Sequence, residues 1–440
     1  MKLKLRKGLD IKLVGEVKDS GVIDVEPRIF AVIPDDYPGL TAKVVVREGD
    51  YVKVGSTLIH DKNFNDVCLT SPVSGTVKAV VRGDRRKVLR IEIESDGKMD
   101  RATFDLSLPV ITTLSRSGLF ARLRRRPFDV VPRPDVVPRD IFVTAFDSAP
   151  LATPLTYLLG DDASQCLAKA VGALAGLTSG KIYISVDSSW NLGDIAGAEM
   201  VEVCGPHPAG NAGIQAANIA PVNKGENIWT LDIVTLYYIG RLLTTGVLDT
   251  STIVALTGPE VESPCLIRTT QCATVAPLIE GRLKSDARHR RIISGNVLTG
   301  TAVPADGFLR FPWRQITVIA EGDDVDEFMG WASLSPSKLS VSPTFPLSRF
   351  CRAFSPDAKL NGGRRAMIMS GEYDKVMPAD IMVEYLLKAA ISRNIEDMEA
   401  LGIYEVAPED VALCEFVDTS KLPVQQIIRD GLDFLRRETE

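Results

Sequence analysis

The sequence predicts a multi-domain protein of α/β and β type that ends in a helical domain. Three observations lead there. The chain has 440 residues, well beyond the roughly 250–300 at which one hydrophobic core stops growing. Residues 36–100 carry short runs of alternating apolar residues broken by glycine turns, the pattern of paired strands. From 140 to 252 strand-like runs alternate with segments of helical rhythm, and the last hundred residues keep that rhythm without strands.

After an N-terminal segment (1–35), the first module spans 36–100 and reads as two similar halves. Val44, Val45 and Val46 lead into Glu48-Gly49-Asp50, then Val52, Gly55 and Leu58. The second half has Ser71-Pro-Val-Ser-Gly75-Thr-Val77, then Gly83-Asp84 and the alternation Val88, Leu89, Ile91, Ile93. The Gly-Asp-x-Val-x-x-Gly and Ser-Pro-x-x-Gly-x-Val spacings resemble a biotinyl/lipoyl-carrier β-sandwich. Lys62 comes soon after Leu58 and lacks a Met-Lys-Met or Thr-Asp-Lys frame, so the module is expected to be an unmodified scaffold.

Residues 101–139 hold eight arginines against three aspartates and read as a basic, proline-containing linker. Its centre, Ser117 to Phe128, interleaves Arg122, Arg124, Arg125 and Arg126 with Phe120 and Phe128. A basic–aromatic mix suits a membrane surface, a partner protein or an aromatic ligand. A solvated helix end before Pro127 explains the isolated segment equally well.

Between 140 and 252 the strand-like Ile141–Thr144 is followed by a helix around 161–177. There Ala163, Cys166, Leu167, Ala170, Val171 and Leu174 mark one buried face. Strands at 181–186, 200–203 and 228–231 and a helix at 234–243 follow, then a strand at 253–256. Such alternation predicts a Rossmann-like parallel sheet. Residues 253–330, with Leu256-Thr-Gly-Pro-Glu260 and a short helix near 274–279, resemble a β-grasp module of the soluble-ligand-binding (SLBB) type. In 331–440, Ile381, Leu386, Leu387, Ala390 and Ile391 mark one amphipathic helix. Val424, Ile427, Ile428, Leu432 and Leu435 mark the last, with Arg436 and Arg437 in its favourable final turn.

Composition excludes some classes. A formal net charge of −6 argues against a nucleic-acid binder. The most apolar helical stretch, 228–248, is interrupted by Asp232 and Arg241, whereas a membrane span needs about 20 largely apolar residues. The basic start Met1–Lys7 has no apolar run behind it, so no signal peptide is expected. Seven irregularly spaced cysteines suit a reducing compartment.

Missing motifs are informative as well. No Gly-x-Gly-x-x-Gly follows a strand. Gly176-Leu-Thr-Ser-Gly-Lys181 is one residue short of a phosphate loop and reads as a helix end opening a strand. No Cys-x-x-Cys occurs, and Cys265 and Cys272 offer two thiolates where an iron–sulfur cluster takes four ligands. The three histidines, His60, His207 and His289, lie far apart. Ser335-Pro-Ser-Lys338 has nucleophile spacing but no companion motifs and reads as a loop.

The most distinctive stretch is Val201-Glu-Val-Cys-Gly205-Pro-His207-Pro-Ala-Gly210-Asn-Ala-Gly213. Prolines stiffen the backbone on both sides of one imidazole, and glycines allow corners other residues avoid. By itself the loop reads as a tight crossover with His207 as a buried strut. Gly205-Pro-His-Pro-Ala-Gly210 also resembles the signature of the NqrA family, the peripheral component of the sodium-translocating NADH:quinone oxidoreductase. Lys7–Asp10, Phe142–Ala145, Gly240–Gly246, Ile293–Leu298, Val376–Pro378, Ala400–Gly402 and Asp410–Cys414 match in order over nearly the whole chain.

The resemblance implies a peripheral subunit on the cytoplasmic face of the bacterial inner membrane, acting where ubiquinone is reduced. Other subunits of the complex would be its partners, and flavins and the iron–sulfur centre would sit on them. The layout also resembles the flavin- and cluster-binding subunits of respiratory complex I and of the Rnf complex. Here the corresponding helical region offers only Cys414, with Cys351 upstream. No cofactor is therefore expected on this chain, with ubiquinone as the candidate ligand. Candidate quinone-binding residues are His207, Phe128, Arg126, Gly205 and Gly210. Arg122, Arg124 and Arg125 are candidates for a docking surface. The alternatives are a docking subunit without a substrate site, and a carrier or dehydrogenase component modified at Lys62.

Overall fold

The computed structural model describes residues 1–440 except 19–20, 189, 191, 287, 324–337, 340, 342–344 and 361. Ser335–Ser337 of the Ser-Pro-Ser-Lys stretch therefore lie outside the described residues.

Residues 29–95 form a barrel-like sandwich. A four-stranded sheet, in the order Ile29–Val32, Val88–Ser95, Gly75–Arg82, Tyr51–Val52, faces a three-stranded sheet of Ala42–Val44, Thr57–Asp61 and Cys68–Thr70. Alternation puts Val77, Ile91 and Ile93 inside, and an irregularity in the pairing between Thr57 and Ile59 lets the consecutive Leu58 and Ile59 both be buried; each of the five is at most 1% exposed. Val45, expected in a strand, is 44% exposed beyond the end of Ala42–Val44. Lys62 opens the hairpin connection after Asp61, its amide bonded to the Thr41 carbonyl at 2.9 Å.

The central α/β unit is a six-stranded sheet ordered Lys2–Lys4, Glu199–Cys204, Ile182–Asp187, Ile141–Thr144, Ile228–Asp232, Arg124–Arg126. The first five strands run parallel, and Arg124–Arg126 closes one edge antiparallel to Ile228–Asp232. Ile141 and Val143 point to the face covered by the helices Ala163–Ala175 and Ile233–Thr245, while Phe142 joins the core on the other face. A sheet covered on both faces reads as near-continuous apolar strands, as the three central ones, Ile141–Thr144, Ile182–Asp187 and Ile228–Asp232, largely do. The helix Ala163–Ala175 buries Cys166, Leu167, Ala170, Val171 and Leu174, five of the six positions its rhythm marked.

A second six-stranded sheet is mixed: Thr301–Val303, Arg290–Ser294, Gln315–Ala320, Ser251–Thr257, Cys265–Thr270, Val22–Asp24. The run at 253–256, taken in sequence as continuing the α/β alternation, belongs here. It forms an antiparallel hairpin with the next strand, Cys265–Thr270, and a parallel pair with the distant Gln315–Ala320, and no local pattern reports the second pairing. The C-terminal helices Val383–Ser392, Ile395–Ala400, Ala412–Val417 and Val424–Thr439 close around Leu386, Leu387, Met398, Leu413, Ile428 and Leu432. Ile391 lies off that face and is 58% exposed.

Two expected segments change character in the tertiary structure. The first 35 residues contribute one strand to each of three sheets: Lys2–Lys4, Val22–Asp24 and Ile29–Val32. The basic segment 101–139 contains a helix, Val110–Ser117, and the edge strand Arg124–Arg126.

Candidate functional site

The proline-flanked loop follows the strand Glu199–Cys204 and leads into the helix Ala212–Ile219. Gly205 has φ of +148°, and a Cβ there would lie 2.7 Å from the Leu5 carbonyl oxygen. That close approach seats the N-terminal strand beside the loop. Gly210 donates its amide to Ser148 Oγ at 2.8 Å, and its carbonyl accepts from Thr144 Oγ1 at 2.8 Å. A Cβ on Gly210 would stand 2.6 Å from the Ser148 amide.

His207 is 4% exposed. Its Nδ1 is 3.0 Å from Ser148 Oγ, its amide donates to Asp10 Oδ1 at 2.9 Å, and its carbonyl accepts from Leu9 N–H at 2.9 Å. Its Nε2 is buried without a hydrogen-bond partner. Burial pushes the imidazole pKa down to about 4, against the pull of the Asp10 charge. The ring is neutral at physiological pH and ties together three chain segments.

Arg126 is 1% exposed. It donates to Asp410 Oδ2 at 2.5 Å and Glu409 Oε1 at 2.9 Å, so it joins the edge strand to the C-terminal domain. Asp410 is equally buried, but the Glu409 side chain is 43% exposed. Burial and then the Asp410 charge push the Glu409 carboxyl up; water at the exposed side chain moderates both effects. Phe128 is 4% exposed, edge-on to Tyr404 at 6.2 Å, with the Arg125 guanidinium 5.2 Å above its ring. Arg125 is 6% exposed and pairs with Glu440 at 2.7 Å. Arg124 donates to the carbonyls of Ala121, Leu123 and Asp36. Three of the four arginines read as a surface or ligand patch thus spend their donors inside the protein. A run of like charges normally marks a solvated face, but here each finds an acceptor inside the fold, most of them from distant segments.

Arg122 differs. Its guanidinium lies over the rings of Tyr238 at 5.6 Å and Phe311 at 6.0 Å, and no hydrogen-bond acceptor faces it among the described residues. It lines a cleft where the barrel-like sandwich (Val32, Tyr37, Leu69), the α/β unit and the second sheet (Cys272, Phe311, Trp313) meet. The cleft holds about 50 Å³, several times the roughly 10–15 Å³ a single water needs. Tyr37 and Phe311 stack at 5.1 Å with their planes 6° apart. Two further arginines there are already neutralised. Arg310 pairs with Asp36, which also accepts the Phe311 amide, and Arg314 pairs with Asp232. Burial raises the Tyr37 phenol above its ordinary range and pushes the Cys272 thiol up to about 12, so both stay protonated. His207, Phe128, Arg126, Gly205 and Gly210 do not line this cleft. The run Phe308-Leu-Arg-Phe-Pro-Trp-Arg314, arginines between aromatic residues, was the signal in the sequence for its far wall.

In a parallel sheet, ligands enter where the strand order reverses, beyond the carboxyl ends of the strands. That point here lies between Thr144 and Asp232. Asp232 accepts the Thr235 amide at 2.6 Å and takes both Arg314 guanidinium nitrogens, at 2.9 and 3.2 Å. The crevice is thus filled by an ion pair from the second sheet. Among the described residues, no three His, Cys, Asp or Glu side chains are grouped to hold a metal ion.

Comparison with known proteins agrees with this architecture. Residues 3–96 match the NqrA N-terminal barrel-sandwich hybrid domain, 108–248 the NqrA second alpha/beta domain, and 253–305 the NQRA C-terminal domain. The chain is 36% identical to the NqrA component of the Na(+)-translocating NADH-quinone reductase of Serratia proteamaculans, over 99% of this chain and all of that one. The chain belongs to the NqrA family. The same protein of Rhodopirellula baltica is 35% identical, covering 99% of this chain and 98% of that one, and that of Pasteurella multocida is 34% identical, covering 99% and 100%. Among solved structures, an NAD+-reducing [NiFe]-hydrogenase in the H2-reduced state aligns with 68% of this chain and 54% of that one. It does so at 11% identity and a TM-score of 0.35. No described helix of this NqrA-family chain is long and apolar enough to cross a membrane.

Proposed function

We propose that this NqrA-family protein works at the quinone-reducing end of a sodium-translocating NADH:ubiquinone reductase and holds the quinone head group in the three-domain cleft. The observation that carries this reading is Arg122, a cation between aromatic rings whose N–H groups have no acceptor among the described residues. A quinone brings a flat apolar ring and two carbonyl oxygens. The ring would pack against the edges of the stacked Tyr37–Phe311 pair, and one carbonyl would accept from Arg122.

Reduction to the quinol takes two electrons and two protons. In this reading the electrons come from redox centres on partner subunits, which the Arg314–Asp232 pair filling the switch-point crevice supports. A fixed guanidinium near a carbonyl favours the negative charge that builds there as electrons arrive. On the same reading His207 supports the loop, since it does not line the cleft and burial keeps its ring uncharged at neutral pH. The complex sits at the cytoplasmic face of the inner membrane in this reading.

Titration calorimetry of the purified chain with a short-chain ubiquinone tests the proposal. Saturable one-to-one binding is expected, weakened about tenfold or more in Arg122→Ala, the usual loss for a charged hydrogen bond. Absence of binding to the chain and of any Arg122→Ala effect on quinone KM in the whole complex would leave a docking subunit without a substrate site.

A further inference from the structure

Half of the large hydrophobic side chains exposed among the described residues lie in one stretch. Of eighteen, nine fall between Val341 and Ile391, including Leu360, Ile368, Met369, Met382 and Tyr385. Contiguous exposed apolar surface marks an interaction site. Its middle part is locally basic, before Glu372, Asp374 and Asp380 restore the balance ahead of the helix Val383–Ser392. Phe350–Gly371 carries Arg352, Lys359, Arg364 and Arg365 against Asp357 alone, in a chain with 57 acidic and 51 basic residues.

The C-terminal domain holds this strap in place. The Arg365 amide donates to the Ser420 carbonyl at 2.9 Å, and Ser420 Oγ donates to the Ala366 carbonyl at 3.0 Å. The amides of Ser370 and Gly371 both donate to Glu384 Oε1 at 3.1 Å. Arg364, Arg365, Ile368 and Met369 remain exposed on this tethered backbone. Lys388 reaches from the helix Val383–Ser392 to Met369 Sδ at 3.2 Å and stands 5.9 Å above the Tyr385 ring. Met369, Lys388 and Tyr385 therefore form one surface, and Met382 precedes Tyr385 by about one helical turn.

We infer that this surface rests on an anionic lipid bilayer. Arginine and lysine meet headgroup phosphates, while Ile368, Met369, Met382 and Tyr385 enter the headgroup–acyl boundary. Adjacent cations and adaptable apolar side chains are the combination that holds a protein on a membrane surface without crossing it. An acidic protein surface would match the charge as well, and methionines can adapt to one, so vesicle binding is the discriminating test. The contact would orient the chain on the bilayer that carries the rest of the complex.

Co-sedimentation of the full chain with phosphatidylglycerol-containing and pure phosphatidylcholine vesicles, without quinone, tests this. Binding is expected only to the anionic vesicles and is expected to weaken with salt. Each cation near an anionic leaflet contributes roughly fivefold in affinity. Arg364→Glu with Arg365→Glu should therefore lower binding at least about twentyfold with an unchanged Tm. Ile368→Ser with Met369→Ser should lower it while keeping the salt dependence. The inference is overturned by no vesicle binding, or by binding that both variants retain. It is overturned in favour of a protein interface if the wild type ignores vesicles and the charge reversal blocks assembly of the complex.

Discussion

His207 shows how one buried ring writes itself into the pH dependence of the whole chain. Its folded pKa, about 4, lies below the unfolded value near 6.5. Between those values only the unfolded chain binds the proton, so its share of stability is complete above about pH 6.5 and is lost as pH falls towards 4. The share is about 3 kcal/mol. Thermal unfolding of His207→Gln should show a flatter slope across that window, and proton titration of the ring by NMR would check the low pKa directly. Arg126 is the second decisive residue. A Cβ at Gly213 would stand 2.5 to 2.7 Å from its guanidinium atoms. Gly213→Ala should therefore push Arg126 off Asp410, and Arg126→Met should leave that buried carboxylate without a counter-charge, holding only the Ala407 N–H and Asn211 Nδ2. Each is expected to cost about 3–5 kcal/mol in denaturant unfolding. The sequence made the histidine and the arginine conspicuous, and packing gave them bracing roles that spacing alone does not reveal.

Among the elements, the N-terminal segment acts as a staple. Leu5, Ile11 and Leu13 are each at most 9% exposed, although the strands on either side of them belong to different sheets. Deleting residues 1–25 removes two edge strands and these three side chains, a loss on the order of 5 kcal/mol by area burial. A lowered Tm and new binding of a hydrophobic dye would show it. The helix Val424–Thr439 was largely legible: Val424, Ile428, Leu432 and Leu435 are fully buried as the spacing indicated, while Ile427, marked on the same face, is only partly buried. Leu432→Ala there should cost about 2–5 kcal/mol. The strand Arg124–Arg126 was not legible. Three arginines in a row have no apolar alternation, and the edge holds through its pairing with Ile228–Asp232 and through acceptors such as Asp36, Asp410 and Glu440 that lie far away in sequence.

At the scale of the molecule, the α/β sheet is a shared wall. One face joins the core of the barrel-like sandwich and the second sheet, and the other joins the C-terminal helices. Arg314 crosses from the second sheet to Asp232. Burial would raise the Asp232 pKa, but this guanidinium and the Thr235 N–H hold it below the ordinary carboxylate range. A depressed folded pKa means that this stabilisation is present above about pH 4 and is lost as pH falls through the folded value. Arg314→Ala should remove that acid-sensitive component and loosen the two units, which limited proteolysis near residue 250 would report.

The family, the order of sheet and helical regions, and the buried faces of the longer helices could all be read from the amino acids, because they follow from local periodicity and residue order. Which arginine is available could not. Arg122, Arg124, Arg125 and Arg126 are alike along the chain, and whether each meets an acceptor depends on distant residues such as Asp410 and Glu440. The cleft is likewise a property of three converging domains, formed by long-range packing that separation along the chain conceals.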